Sequence, residues 1–321
     1  MNKADDFILD LVVPIHGNLP LNKFFFESLV ENTRNRFRLF VIDNHSPDNS
    51  PDYFRQQKGE RFEVIVFSND RNRCYPVSMN QGISATTSPV VGLLNNDIVF
   101  GPAWDLPLVS FILKEQGDIV SPIGLEHLPD REMEEFLFYR WRRILKKEFS
   151  RDLEQNLRMK IDSMYGDFEQ FALWIQNRFS GVAFPGIMGH CHLVSRSFLE
   201  MTKGLDPRLQ AADWDLYLTA ANLVESGKIR TLPQILGDSF VHHFIRATAR
   251  TKNREPFVCE HPPHIAPEEK WGVQAISRFW PFVEQRPGYK KPFGAKMRKL
   301  ESKWKAFSSL SNENLIQILS G

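Results

Sequence analysis

The chain has 321 residues, 42% of them apolar and 25% charged, the proportions of a soluble globular protein with one large or two modest domains. Its formal net charge of +1 provides no overall field to draw it to nucleic acid. No apolar run approaches the roughly 20 residues that span a bilayer. Asp5 and Asp6 precede the first apolar run where a secretory signal would be basic. The cysteines, Cys74, Cys191 and Cys259, are scattered without the spacing of a disulfide framework or a metal site, so a reducing, cytoplasmic setting is expected.

Four short apolar runs stop abruptly at polar clusters. They are residues 11–15 before His16-Gly17, 39–42 before Asp43-Asn44-His45-Ser46, 64–67 before Ser68-Asn69-Asp70, and 90–94 before Asn95-Asn96-Asp97. Each has strand length and is rich in β-branched or large apolar residues. Helical stretches separate them: residues 21–34 turn Phe24, Phe25, Leu29 and Val30 toward a sheet, and 77–86 follow a polar loop. The order β-α-β-α-β-α-β predicts an α/β fold with an open, mostly parallel sheet flanked by helices. Ile98-Val99-Phe100 is expected to continue the fourth strand, and Ile119-Val120 to form another. Residues 130–179 carry no strong strand signal and read as two or three inserted helices; Phe136, Tyr139, Trp141, Phe171 and Trp174 either line a groove or pack as amphipathic faces. Strand and helix signals return over 182–244. Beyond Ala247 the chain is rich in proline and basic residues. In the tail, Arg286, Lys290, Lys291, Lys296, Arg298, Lys299, Lys303 and Lys305 interleave with Tyr289, Phe293, Met297, Leu300 and Trp304. Such a stretch lies on an anionic membrane or covers the domain as a solvated helix.

In an open parallel sheet, ligands bind outside the carboxyl ends of the strands, so the four polar clusters converge on one crevice. Asp43 offers a carboxylate to a nucleobase N–H or ribose hydroxyl, or closes an Asx turn on its own backbone. Pro14 and His16 stand beside it after the first strand. Asp97 follows a buried strand, where a carboxylate must be solvated or paired. A divalent cation carrying a diphosphate is one economical partner, because Mg²⁺ and Mn²⁺ take few protein carboxylates together with phosphate oxygens and water; an ordinary polar turn is the other reading. Arg71 and Arg73 meet phosphate or solvent, and Asn80 faces the crevice near a helix start.

Taken in order, Val12-Val13-Pro14, the stretch from Val41-Ile42-Asp43-Asn44 through Ser46-Pro47-Asp48-Asn49-Ser50, Asn80-Gln81-Gly82-Ile83 and Leu93-Leu94-Asn95-Asn96-Asp97 resemble the inverting GT-A glycosyltransferases of family two. The second half agrees. Gly189-His190-Cys191-His192-Leu193-Val194-Ser195-Arg196 and then Gly204-Leu205-Asp206-Pro207-Arg208-Leu209 resemble that family's acceptor-side segment. Asp213-Trp214-Asp215-Leu216 is similar to its acidic motif, and His242-His243 to a late histidine near the metal. The Asp-Asn-x-Ser form at 43–46 looks most like bacterial rhamnosyltransferase-type members.

The resemblance implies a GT-A fold: residues 1–125 as the nucleotide-sugar half, 126–181 as a helical insertion, 182–250 as the acceptor half and 251–321 as a C-terminal helical extension. It also implies a nucleotide-diphosphate sugar donor, a glycan or lipid-linked glycan acceptor and Mn²⁺ or Mg²⁺. A place at the inner face of a membrane, in bacterial surface polysaccharide synthesis, would suit such an enzyme. The donor nucleotide would meet Pro14, His16, Asp43, Arg71, Asn80 and Asn96. Asp97 would hold the metal with His242, or with His243, because the doubled histidine leaves the register open. Asp213 would be the general base, held ionised by the start of the following helix; a register shift of two would make it Asp215. Trp214 reads equally as a platform under a sugar face or as core.

The chain departs from the family pattern twice: Asn95 stands where the metal motif usually has Asp, and Ala212 where the acidic motif usually has Glu. Chemistry supports the same assignment. Inverting transfer needs one base on the acceptor hydroxyl and charge neutralisation on the leaving diphosphate, and no distinct nucleophile for a retaining reaction stands out. The competing readings are a sugar nucleotidyltransferase, for which the single Gly17 is a poor phosphate loop, and a catalytically degenerate binding module.

Overall fold

A computed structural model describes residues 7–245, 256–258, 264–279, 293–308 and 315–320. The first half alternates as the sequence predicts: β1 (Leu9–Ile15), α1 (Leu19–Asn32), β2 (Phe37–Asp43), α2 (Ser50–Arg55), β3 (Phe62–Ser68), α3 (Tyr75–Ala85) and β4 (Val90–Leu94). These strands are parallel, in the order β3-β2-β1-β4. The sheet's two faces explain the composition of β1. Leu9, Leu11, Val13 and Ile15 pack with Phe25 and Leu29 of α1, while Val12 points the other way toward Met79 and Ile83 of α3. Asp10, buried in β1, is satisfied by Arg38, whose Nε and Nη2 each donate over 2.7 Å, and by the N–H groups of Thr87 and Ser88.

The second half comprises β5 (Ile98–Phe100), α4 (Asp105–Leu113), β6 (Ile119–Ile123), α5 (Arg131–Ile144), α6 (Leu153–Tyr165), α7 (Phe168–Arg178), β7 (Ala183–Pro185), β8 (Cys191–Ser195), α8 (Arg196–Thr202), α9 (Ala212–Glu225) and β9 (Gln234–His243). The sheet continues β8-β6-β9-β5, with β7 also on β9. β8 is antiparallel to both β4 and β6, β9 runs parallel to β6, and β5 and β7 run antiparallel to β9. The sheet is therefore mixed: β3, β2, β1 and β4 form one parallel run, and beyond the antiparallel β8 the neighbours β6 and β9 are parallel again. One expectation is corrected here: residues 98–100 do not continue β4. Asn95-Asn96-Asp97 turns the chain, and β5 pairs with the end of β9, Ile98 opposite His243. That pairing sets Asp97 beside a histidine 146 positions later in sequence.

The stretch expected to hold two or three helices contains α5, α6 and α7. Asp130, Asp152 and Asp167 cap them, each side chain accepting an N–H three residues on. Phe136, Trp141 and Phe171 are buried against Phe240 and Phe244, so these aromatics pack as core rather than line an open groove; Tyr139 and Trp174 are partly buried at the edge of the same cluster. After β9 come α10 (Pro267–Phe279), α11 (Phe293–Ser308) and α12 (Leu315–Ser320). Arg286, Tyr289, Lys290, Lys291 and Cys259 lie outside the described residues, while Cys74 and Cys191 are buried free thiols. Among the described residues no helix is long and apolar enough to cross a membrane.

Candidate functional site

A cleft of about 390 Å³ opens where the parallel and antiparallel halves meet. Asn95 after β4, Glu126 and His127 after β6, Gly189 and His190 before β8, His243 at the end of β9, and Asp213 and Trp214 at the start of α9 all line it. Five chain segments distant in sequence thus meet in one place.

One wall holds the metal-ligand chemistry. The Asp97 carboxylate is buried, and its Oδ1 lies 3.3 Å from His243 Nε2, an ion-pair distance without hydrogen-bond alignment. His243 Nδ1 faces Glu126 Oε2, also at 3.3 Å. Burial alone would push the His243 imidazole down, but the carboxylates of Asp97 and Glu126 overcome it and raise the group to about 10. His190 stacks on His243, ring centroids 4.2 Å apart; burial and then the neighbouring His243 push it well down, so its imidazole is neutral. Glu126, His190 and His243 offer donor atoms all within 4.8 Å of one another.

These residues fit a divalent cation. Cis donors around an octahedral ion with bonds of about 2.1 Å stand about 3 Å apart, close to the Asp97–His243 separation. The buried Asp97 Oδ1 has no hydrogen-bond partner. A carboxylate facing the second nitrogen of a ligating histidine is the usual device for orienting the ring.

His242 lies elsewhere. Alternation along β9 turns it to the opposite face, fully buried, where Nδ1 shares a 2.7 Å hydrogen bond with Tyr165 Oη and the ring sits 4.3 Å from Trp141. The expected metal role for His242 is corrected accordingly: the histidine beside Asp97 is His243. Asn95, half-buried, lines the cleft, whereas Asn96 is buried and donates to Asn22 Oδ1 over 2.7 Å. Asn96 braces the turn against α1.

The other wall holds Asp213. The sequence places it in a loop before the helix; it lies in the first turn of α9. Its carboxylate passes so close to the backbone that a Cβ on Gly189 would stand 2.1 Å from Oδ2. Burial pushes the Asp213 carboxyl above the ordinary range, and the N–H groups of Trp214 and Asp213 itself offset this only in part. The helix start favours the anion as expected, but burial outweighs it. Asp215 is occupied with structure: it is buried and accepts from Trp271 Nε1 over 2.7 Å and Lys270 Nζ over 2.9 Å. Trp214 is half-buried and lines the cleft, next to Asp213 rather than in the core.

The donor-side residues divide. Pro14, His16 and Asp43 gather at the carboxyl ends of β1 and β2, where β1 and β2 pair through Pro14 and Ile42 and through Ile15 and Asp43. His16 Nδ1 contacts the Asn44 carbonyl at 2.7 Å, and Asp43 Oδ1 accepts the Ser46 N–H over 3.0 Å, closing an Asx turn. Arg71 is exposed in the loop after β3, 3.9 Å from Asp70. Asn80 does not face the crevice: its amide is spent on the Leu205 backbone, donating over 2.7 Å and accepting over 2.8 Å. None of these five residues, nor Asn96, lines the cleft itself.

Sequence reasoning assigned no role to Glu126, His127, His190, Tyr75 or Gln210, all of which line the cleft. Tyr75 is notable because its hydroxyl is buried without a hydrogen-bond partner, and burial followed by the Asp213 carboxylate pushes it up. Only the clustering of His190 and His192 around Cys191 offered a signal; single polar residues in loops carry none.

Residues 10–167 match the family described as glycosyl transferase family 2. No curated protein matches the sequence. Solved structures similar to the chain include a mannosyltransferase from Pyrobaculum calidifontis in complex with GDP-Man and Mn²⁺, at 15% identity and a TM-score of 0.49, covering 98% of this chain and 73% of that one. TarS from S. aureus, residues 1–349, is 12% identical with a TM-score of 0.47, covering 97% and 82%. GalNAc-T7 with UDP, GalNAc and Mn²⁺ is 14% identical with a TM-score of 0.49, covering 99% and 58%. Overlap of this order is too loose to transfer a substrate or a residue role. The mixed sheet flanked by helices, with the family match running through β1 to α6, is the GT-A type of α/β fold expected from the sequence.

Proposed function

We propose that the chain is a metal-dependent, inverting glycosyltransferase of family two that moves a sugar from a nucleotide-diphosphate donor to a hydroxyl of a glycan or lipid-linked glycan. The observation that carries this reading is that Asp213 lines the same cleft as Glu126 and His243, with Asp97 in contact with His243 behind them. A base on one wall and a cation-holding cluster on another is the minimum set for an inverting displacement. Asp97 and His243 would hold Mn²⁺ or Mg²⁺, with Glu126 orienting the His243 ring from its Nδ1 side. The ion would neutralise charge developing on the leaving diphosphate.

Asp213 takes the proton from the acceptor hydroxyl as that oxygen attacks the sugar carbon from the face opposite the leaving group. A carboxyl pushed up by burial is a stronger base when ionised, nearer the range where proton transfer at neutral pH is efficient. Gly189 provides the space that lets this carboxylate reach the cleft. Trp214 offers a flat apolar surface for a sugar face. Asp43 and His16 at the ends of β1 and β2 suit the nucleoside, and the Asp-Asn-x-Ser form at 43–46 suits a rhamnosyltransferase-type donor.

The test is a panel of nucleotide-diphosphate sugars incubated with Mn²⁺, read by nucleoside-diphosphate release and by proton NMR of the product's anomeric configuration. Inversion is expected with one donor, with loss of release in Asp97→Ala and of transfer in Asp213→Ala. Retention of configuration, or release unchanged in both variants, would overturn the proposal.

A further inference from the structure

The tail helix α11 has two unlike faces. At 100° per residue, Ser302 and Ala306 fall on one side, where both are buried and Ser302 Oγ donates to the Glu132 carbonyl of α5. Small side chains there let α11 lie close on α5. On the opposite side Met297, Leu300, Trp304 and Phe307 follow one another at spacings of three and four and form a single stripe. They are 47%, 51%, 71% and 58% exposed, although burying them would have been favourable had the fold offered a partner. The same helical geometry puts Lys296, Lys299 and Lys303 along one flank of the stripe and Arg298 and Lys305 along the other. Glu301 is the helix's single acid, so five basic residues meet one acidic residue in a chain whose net charge is only +1. Arg143 of α5 covers one face of Phe307 at 4.7 Å and adds its charge at the stripe's end.

We infer that α11 is an interfacial helix that seats the protein on an anionic bilayer surface. An apolar stripe with basic residues on both sides matches that surface in chemistry and depth. Large apolar side chains enter the acyl boundary, lysine stems run along it with their ammonium groups at the phosphates, and tryptophan prefers this interface. A protein partner with a hydrophobic groove would not call for cations on both flanks, and a second copy of the same helix would oppose like charges. The helix lies away from the residues assigned to catalysis, so this inference and the proposed glycosyl transfer fail separately.

The test is co-sedimentation of the full chain with vesicles of phosphatidylcholine alone and of equal parts phosphatidylcholine and phosphatidylglycerol. Binding is expected only to the anionic vesicles, and is expected to weaken as salt rises. Leu300→Ser with Trp304→Ser, and separately Lys296→Glu with Lys299→Glu, should each weaken it by about tenfold or more, with thermal unfolding unchanged because these four positions are exposed. In Trp304→Phe, binding should persist while quenching by brominated lipid falls, which places this residue among the chain's seven tryptophans at the interface. Binding equal on neutral and anionic vesicles, binding untouched by either double variant, or no binding together with self-association that the Leu300–Trp304 variant abolishes, would overturn the inference.

Discussion

Asp213 and Asp215 are two positions apart on α9 and do opposite work. Asp215 accepts from Lys270 and Trp271 and ties α10 to α9, so Asp215→Ala should destabilise the fold by about 1–3 kcal/mol, the cost of stranding buried donors, measurable by urea unfolding. Asp213→Asn should lower transfer by about 10²-fold or more, the scale of a lost general base, while leaving nucleotide affinity intact. It should also raise stability at neutral pH. The folded carboxyl is raised above its unfolded value, so its contribution to stability is greatest below the unfolded value and lost as pH rises through the folded one; Asn removes that penalty. His243 gives a second pH signature. With a folded value of about 10 against 6.5 unfolded, its contribution in metal-free protein is full below pH 6.5 and lost between there and about pH 10. A thermal-melt series over that range should fall in wild type and flatten in His243→Gln. At this scale the sequence was legible where a residue ends a strand or starts a helix, as Asp97 and Asp213 do. It was silent on Glu126 and His190, which owe their role to partners far along the chain. Asn80 and Asn96 were misread because a polar residue near a crevice also serves to tie loops together.

The deciding element is β9. Its last two residues are both histidines, and strand alternation sends His242 into the core with Tyr165 and Trp141 and His243 into the cleft. Sequence alone left the register open because it does not say which face of the strand is buried; pairing with β5 decides it. Exchanging the two should therefore have separable effects. His242→Ala should cost about 2–4 kcal/mol through the cavity it leaves yet retain Mn²⁺ binding by titration calorimetry, whereas His243→Ala should lose Mn²⁺ binding and, at neutral pH, the stability that the protonated ring draws from Asp97 and Glu126. The loop before β8 is the other critical element. Gly189→Ala puts a methyl group 2.1 Å from the Asp213 carboxylate oxygen. It should lower kcat with little change in donor KM, because it moves the base and leaves the donor wall alone.

At the scale of the whole molecule, the parallel half was readable from apolar runs ending at polar clusters, since each βα unit is local. The antiparallel half was not. β5 and β7 are three residues each and find their partners across more than 50 positions, so nothing local marks them as sheet, and residues 98–100 read as a continuation of β4. The cleft lies at the junction, which is why of its lining only Asn95, Asp213, Trp214 and His243 stood out in the sequence. The proposed function requires this junction to bind a nucleoside diphosphate through a cation held by Asp97 and His243. The most direct measurement is thermal unfolding with UDP, dTDP and GDP, each with Mn²⁺ and with EDTA. One nucleotide should stabilise the protein only with Mn²⁺, by about 2.7 kcal/mol at a hundredfold excess over its dissociation constant, and the gain should vanish in Asp97→Asn and His243→Gln. Equal stabilisation in EDTA, or no stabilisation by any of the three, would contradict it.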